Sequence, residues 1–346
     1  MPALVTLLVP TRGRCSSLQR LLADLDRFGY FKRSDVEVVV IENVADADPH
    51  IRQVVERYGA RYANQGRPGQ AAALNLGIEL ARGELVAFTD DDVRIVDSDW
   101  LDRLASHFSD SSIGYAAGNV LAAEVRTCAQ QMWERKGGLS KGPSVRRFGQ
   151  ELFRTPRLAG VPLRLIACGA NSMIRRRILE KVGGYDERFG VGAPVGHAQS
   201  HEICYKVLRA GYDALYDPRA IVLHHHPETL RELRRRLFQY GIGDTAVHFH
   251  FFLHYGDVWG LVEALGGRHV YLLRNLVRRA LNRYPMPASM ILAGLAGATM
   301  GPLVYAKVSV GPYFRRRLRT IGRKQEMAHL SAHPSAGAGK NRGERV

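Results

Sequence analysis

The chain is poor in cysteine. Four thiols, Cys15, Cys128, Cys168 and Cys204, are scattered over 346 residues with no Cys-x-x-Cys pair. That spacing excludes a disulfide scaffold, a zinc knuckle and a thioredoxin-type motif. Acid is also scarce: 33 Asp and Glu face 49 Lys and Arg, a formal net charge of +16. No repeat of fixed period and no aromatic-rich nucleic-acid motif is present. The start, Met1-Pro2-Ala3-Leu4-Val5, has neither a cationic n-region nor an Ala-x-Ala-like cleavage site. The expectation is therefore a protein without a secretory leader, acting in the cytoplasm. Hydrophobic residues at 46% and charged residues at 24% exclude wholesale disorder. The length allows two units, or one large α/β domain with an appendage.

The positive charge is concentrated. Glu228–Val346 holds 19 Lys and Arg against 7 Asp and Glu, so residues 1–227 are only mildly basic. A nucleic-acid reader carries its basic face on the folded module that reads the ligand, so this distribution points away from nucleic acid. The basic half also contains an apolar run, Met286 to Ala306, with Arg278, Arg279 and Arg283 before it and Lys307, Arg315, Arg316, Arg317 and Arg319 after it. The run is long enough to span a bilayer but is broken by Gly and Pro. Two readings stand: helices lying on an anionic membrane at the inner face of the cell membrane, or buried helices closing the main domain. The expected division is a catalytic domain over 1–227, a basic helical extension over 228–325 and a disordered tail over 326–346.

Leu4–Val9, Val36–Ile41 and Leu85–Phe88 are continuous apolar runs, each ending in polar residues. Between them lie helical patterns around Leu18–Leu25, Ile51–Tyr58 and Gly69–Ala81, with another at Trp100–Phe108. Apolar strands alternating with helices predict a mostly parallel sheet flanked by helices, an α/β fold. Ligands bind such sheets at the carboxyl ends of strands. There the sequence places Thr11 and Arg12, Glu42, and the run Asp90-Asp91-Asp92. One aspartate is explained by a helix cap. Three in a row after a buried strand repel one another and call for a cation, and oxygen ligands suit Mg²⁺ or Mn²⁺ holding a substrate phosphate.

The ordered motifs Val9-Pro10-Thr11-Arg12-Gly13-Arg14, Val38-Val39-Val40-Ile41-Glu42-Asn43 and Gly83-Glu84-Leu85-Val86-Ala87-Phe88-Thr89-Asp90-Asp91-Asp92-Val93 resemble the family 2 glycosyltransferases of GT-A fold. Gly169-Ala170-Asn171-Ser172, Gly183-Gly184-Tyr185-Asp186, Leu208-Arg209-Ala210-Gly211-Tyr212 and His224-His225-His226 continue the pattern, which covers roughly residues 3–245. The resemblance implies an enzyme that moves a sugar from a nucleotide-diphosphate sugar to a hydroxyl-bearing acceptor, a glycan or a lipid-linked one, with inversion. It assigns Pro10, Thr11, Arg12, Glu42, Arg67, Asn75, Asp90, Asp91, Gly169, Ala170 and Asn171 to donor binding. It assigns Asp92, His224 and His226 to a Mn²⁺ or Mg²⁺ site.

One departure stands out. The family's base is the Asp of a Glu-Asp pair, and counting back from Arg209-Ala210-Gly211 places that pair on Gln199 and Ser200. Neither is a carboxylate. The nearest replacements are Glu202 and His201, although a two-residue offset on a helix turns a side chain well away. The alternatives are a donor-binding pseudoenzyme without an efficient base, and a sugar-phosphate nucleotidyltransferase. The latter lacks its Gly-rich, Lys/Arg-containing phosphate loop after the first strand. Two further stretches attract attention: the Gly-rich segment 189–197 as a loop closing over donor, and 130–161, with Trp133, as the acceptor side.

Overall fold

A computed structural model describes residues 4–154 and 160–309. The expected tail, 326–346, lies outside them. Strands β1 (Val5–Thr11), β2 (Val36–Glu42), β3 (Arg61–Asn64) and β4 (Leu85–Phe88) alternate with helices α1 (Cys15–Arg27), α2 (Pro49–Arg57) and α3 (Gln70–Leu80). Next come β5 (Val93–Ile95), α4 (Trp100–Ser106), β6 (Ile113–Ala122), α5 (Cys128–Arg135), β7 (Arg146–Phe148), α6 (Glu151–Arg154), β8 (Ser172–Arg175), α7 (Arg176–Val182), α8 (Gln199–Arg209) and β9 (Asp213–His224). The rest is helical: α9 (Leu230–Tyr255), α10 (Val258–Val262), α11 (Arg268–Ala280) and α12 (Ala288–Ser309).

The described strands form one sheet in the order β3-β2-β1-β4-β8-β6-β9-β5, with β7 added beside β9. β1, β2, β3 and β4 pair in parallel, whereas β8 runs antiparallel to both β4 and β6. Strands buried on both faces need apolar residues at successive positions, and every residue of β1 is buried. The helices need one face only. Leu18, Leu21, Leu22 and Leu25 on α1 repeat at helical spacing and are fully buried against Val5, Leu7 and Val9. Truncating one of these leucines to alanine costs about 2–5 kcal/mol.

Direction reverses between β4 and β8, and the polar ends of β1 and β4 open at that reversal. The crevice lies where sheets of this kind bind ligands. Strand β9 reaches the same place from the other side, because Val93 pairs with His224 across the antiparallel β5–β9 ladder. That register brings His224 beside Asp92, two positions that are far apart in the chain.

The compact unit runs to Tyr305, so the division expected at 227/228 falls inside it. Helices α9, α11 and α12 share a core with α5, built from Leu233, Leu237, Leu272, Met290, Ile291, Ala298 and Trp133. Helix α9 starts at a capping box in which Thr229 and Glu232 each satisfy the other's backbone N–H. Helices α9 and α12 meet at their backbones. A Cβ on Gly297 would lie 2.0 Å from the Phe238 carbonyl oxygen, and one on Gly241 would lie 2.3 Å from that of Gly294. Thr245 Oγ1 closes the seam by donating to the Ala298 carbonyl at 2.8 Å.

Candidate active site

The loop after β4 points its three carboxylates in different directions. Asp91 is fully buried and faces back into the protein. Thr11 Oγ1 donates to its Oδ2 at 2.6 Å, Arg14 Nε donates to the same oxygen at 3.1 Å, and a second Arg14 nitrogen pairs with Oδ1. Asp91 therefore ties the ends of β1 and β4 together, with both oxygens engaged by Thr11 and Arg14, whereas it was expected among the donor-binding residues. Burial pushes its carboxyl up to about 6, against the pull of Arg14.

Asp90 and Asp92 face the crevice. Gln70, the first residue of α3, donates from Nε2 to Asp90 Oδ1 at 2.7 Å. Arg14 Nη1 donates to Asp92 Oδ2 at 2.7 Å. Asp92 Oδ1 is buried and has no hydrogen-bond partner. His224 Nε2 lies 3.3 Å from that oxygen and 3.9 Å from Asp90 Oδ2. The other ring nitrogen, Nδ1, is 2.8 Å from the His225 carbonyl, which can only accept. That contact calls for a proton on Nδ1 and leaves Nε2 as the nitrogen that faces the carboxylates. Three potential ligand atoms from Asp90, Asp92 and His224 lie within 4.8 Å of one another. Two hard oxygens, one of them buried and orphaned, and one imidazole fit a divalent cation such as Mn²⁺ or Mg²⁺.

Charge around the cluster is divided unequally. Burial, with Asp92 nearby, raises the Asp90 carboxyl. Burial also presses upward on Asp92, but His224, Arg14 and Arg236 together outweigh it and hold Asp92 below the usual carboxylate range. Arg236, on α9, is a contribution from the C-terminal helices that sequence motifs did not single out.

The crevice beside Asp90 is walled by Pro10, Leu74, Phe88 and Tyr185, and its polar lining is Gln70, Thr89, Gly169, Gln199 and Ser200. Gln199 Nε2 donates to Gln70 Oε1 at 2.8 Å, completing a relay from α8 through α3 to Asp90. The two positions counted as the family's Glu-Asp pair thus do line the crevice, as an amide and a hydroxyl. Gln70 escaped notice because only the fold shows that the N-terminus of α3 abuts the acidic loop.

Neither expected replacement base joins them. Glu202 is buried with Oε1 2.6 Å from Lys206 Nζ, and its other oxygen accepts from the Asp186 N–H at 3.3 Å. Burial lifts its carboxyl to about 7, with Lys206 opposing. His201 turns toward α9, with Nδ1 3.9 Å from Asp244 Oδ1, and burial drops its ring to about 4. The helical offset of one position for His201 and two for Glu202, counted from Ser200, sends both side chains away from the crevice.

Several other expected donor contacts are spent within the protein. The buried Glu42 accepts from the Tyr62 hydroxyl and from the Asp48 N–H. Asn75 clasps the backbone of Tyr185 through both amide atoms, at 2.8 and 3.0 Å. Asn171 donates to the carbonyls of Asn119 and Ala220 and accepts from Trp100 Nε1, so it is a fastener of the sheet. Ala170 supplies a carbonyl to Thr89 Oγ1 at 2.9 Å. Arg67 pairs with Glu187 at 2.6 Å on the surface, while Arg12 is exposed at the rim. His226 stacks on His224, but its Nε2 points at Glu134 Oε1, 3.0 Å away, so it stands outside the ligand cluster. Trp133 packs edge-on to His226 and also meets Tyr240 of α9, which places Trp133 beside the histidine run that borders the crevice. In the Gly-rich segment, the Val191 carbonyl accepts from the Gln70 N–H at 2.9 Å, so the segment already rests on the mouth of the site.

The profile of glycosyl transferase family 2 matches residues 6–183. The pre-mycofactocin glycosyltransferase of Mycobacterium tuberculosis is 25% identical over 237 residues, covering 68% of this chain and 46% of that protein. The chain thus spans about half the length of that relative. Glycosyltransferase AglE of Haloferax volcanii is 22% identical over 250 residues, covering 70% of this chain and 73% of the other. Among solved structures, the mannosyltransferase PcManGT of Pyrobaculum calidifontis, in complex with GDP-Man and Mn²⁺, superposes with a TM-score of 0.55 at 19% identity over 87% of both chains. The similarity is one of fold, the GT-A type.

Proposed function

We propose that the chain, which belongs to glycosyl transferase family 2, is a metal-dependent, inverting glycosyltransferase that takes a sugar from a nucleoside-diphosphate sugar to an acceptor hydroxyl. The observation that carries this reading is the convergence of Asp90, Asp92 and His224, with Asp92 Oδ1 buried and unpartnered. Asp92 and His224 would hold a divalent cation, and Asp90 would complete its carboxylate side. When bound, such an ion supplies Lewis-acid stabilisation of the charge left on the departing diphosphate. The protein itself does the positioning. Gln70 fixes the Asp90 carboxylate, and Arg14 fixes Asp92.

The acceptor proton is the weak point of the site. A positioned base contributes about 10²–10⁴-fold, and Gln199 and Ser200 provide none. That observation favours a second reading, in which the chain binds donor without efficient transfer. The two are separated in sequence of experiments. Thermal shift with UDP-, GDP- and dTDP-sugars, each with Mn²⁺, Mg²⁺ or chelator, tests donor binding. GDP-mannose with Mn²⁺ is the first pair to try, because a protein of the same fold holds both. Stabilisation that needs both nucleotide and ion supports the proposal, and no ion-assisted binding of any donor defeats it. Product analysis of wild type and Ser200→Asp then decides between the readings. Turnover that appears only in Ser200→Asp identifies the natural chain as the donor-binding form.

A further inference from the structure

Helix α11 is apolar on two opposite sides. Leu272, Asn275 and Leu276 face the core shared with α12. Val270, Leu273, Val277 and Leu281 recur at spacings of three and four, and are 48–64% exposed. At about 100° per residue these four share one face, half a turn from Leu272. Helix α12 repeats the arrangement. Met290, Ile291, Ala298 and Tyr305 are buried, while Leu292, Met300 and Leu303 look outward, Leu303 at 68% exposure. An outward apolar row on two successive helices adds nothing to the stability of an isolated fold and marks a surface that is covered in use.

The charge bordering these rows is of one sign. Arg274, Arg278, Arg279 and Arg283 are exposed, and none pairs with a carboxylate among the described residues. From Ala264 to Ser309 the sequence contains no Asp or Glu. We propose that the outer faces of α11 and α12 form an in-plane docking surface for a membrane rich in anionic lipid. The apolar rows enter the acyl boundary, and the arginines reach headgroup phosphates along their flexible stems.

Charge decides among the candidate occupants. The rest of the chain, 310–346, carries nine Lys and Arg against two Glu and would be repelled by the arginine border. A second copy presents the same arginines and meets the same repulsion. Anionic headgroups are attracted. Length and hydropathy alone would let α12 cross a bilayer, but 44% of its apolar stretch is buried and its inner side is closed on α9 at the glycine seam. The helix therefore lies on the membrane with one side only. The inference is independent of the chemistry in the crevice.

The test is flotation of the full chain with phosphatidylcholine vesicles, with and without phosphatidylglycerol. The expected result is flotation with the anionic vesicles alone. Leu273→Glu with Val277→Glu lowers partitioning about tenfold or more. Arg274→Gln with Arg278→Gln lowers it about thirtyfold on anionic vesicles, at about a factor of five per arginine. An unchanged thermal midpoint shows that the variants fold. If the glutamates shift it, Leu273→Ser with Val277→Ser takes their place, with partitioning again expected to fall. Three results overturn the proposal: equal binding to neutral vesicles, no vesicle binding by wild type, or wild-type flotation by the face variants, which would place binding in the tail. A solution dimer split by Leu273→Glu with Val277→Glu would assign the face to a second copy instead.

Discussion

Two places in this protein each gather two carboxylates and a histidine within 4.8 Å: Asp90, Asp92 and His224 at the crevice, and Asp186, Glu202 and His250 under α8. By ligand type they are equivalent, and by charge they are not. In the second cluster Lys206 sits 2.6 Å from Glu202, Arg188 is paired with Asp186, and His250 Nδ1 contacts the Tyr305 hydroxyl at 2.6 Å. Each of the cluster's two carboxylates is already paired with a cation of the protein, although His250 Nε2 is buried without a hydrogen-bond partner. At the crevice Arg14 takes one oxygen of Asp92 and leaves the other buried with no partner, beside a histidine whose Nε2 is turned inward. Among two such triads, the one whose carboxylates keep an uncompensated oxygen is the better candidate for a cation.

Four measurements break or sharpen that contrast. Asp92→Asn should abolish ion-assisted nucleotide binding and lower turnover about 10²–10³-fold, while Asp186→Asn leaves Mn²⁺ stoichiometry at one per chain in calorimetry. Two ions in the wild type would erase the distinction. His224→Ala should weaken Mn²⁺ about tenfold to a hundredfold, read by competition with a chelating dye, whereas His250→Ala leaves that affinity unchanged.

The self-compensated cluster should reveal itself in stability. Lys206→Met strands the buried Glu202 and is expected to cost about 3 kcal/mol in urea unfolding, with no effect on Mn²⁺ affinity. The smallest effect is on pH dependence. Burial lifts Glu202 from 4.5 to about 7. Between those values the folded chain keeps a proton that the unfolded chain has lost. The contribution is full below 4.5 and is lost as pH rises through 7. Wild type should therefore lose about 2 kcal/mol relative to Glu202→Gln between pH 5 and 7. Parallel curves for the two proteins would show that Glu202 ionises normally.

The sheet was legible because its strands are written as unbroken apolar runs. The expected Leu4–Val9, Val36–Ile41 and Leu85–Phe88 differ from β1, β2 and β4 by no more than two residues at an end. The facing of single polar residues was not legible. Glu42 and Asn171 sit at strand ends, and Asn75 lies in the middle of α3; all three read as ligand contacts, but their partners are Tyr62, Trp100 and Tyr185, at separations of 20 to 110 residues. Within Asp90-Asp91-Asp92 the middle side chain alternates inward, and only the position of Arg14 shows that it is consumed. The displacement of Glu202 is a matter of helical phase. The first turn of α8 lines the crevice with Gln199 and Ser200, and Glu202 falls a further part-turn around the helix. The apolar run 286–306 is buried on its inner side and bare on its outer side.

The seam between α9 and α12 leaves no room for even one added carbon at Gly297. A methyl group there would force the two backbones apart and tilt the C-terminal hairpin, carrying Arg236 away from the acidic loop and the outward leucines off their common plane. A substitution about as small as chemistry permits, remote from every reacting atom, would in that way disturb both ends of the molecule at once.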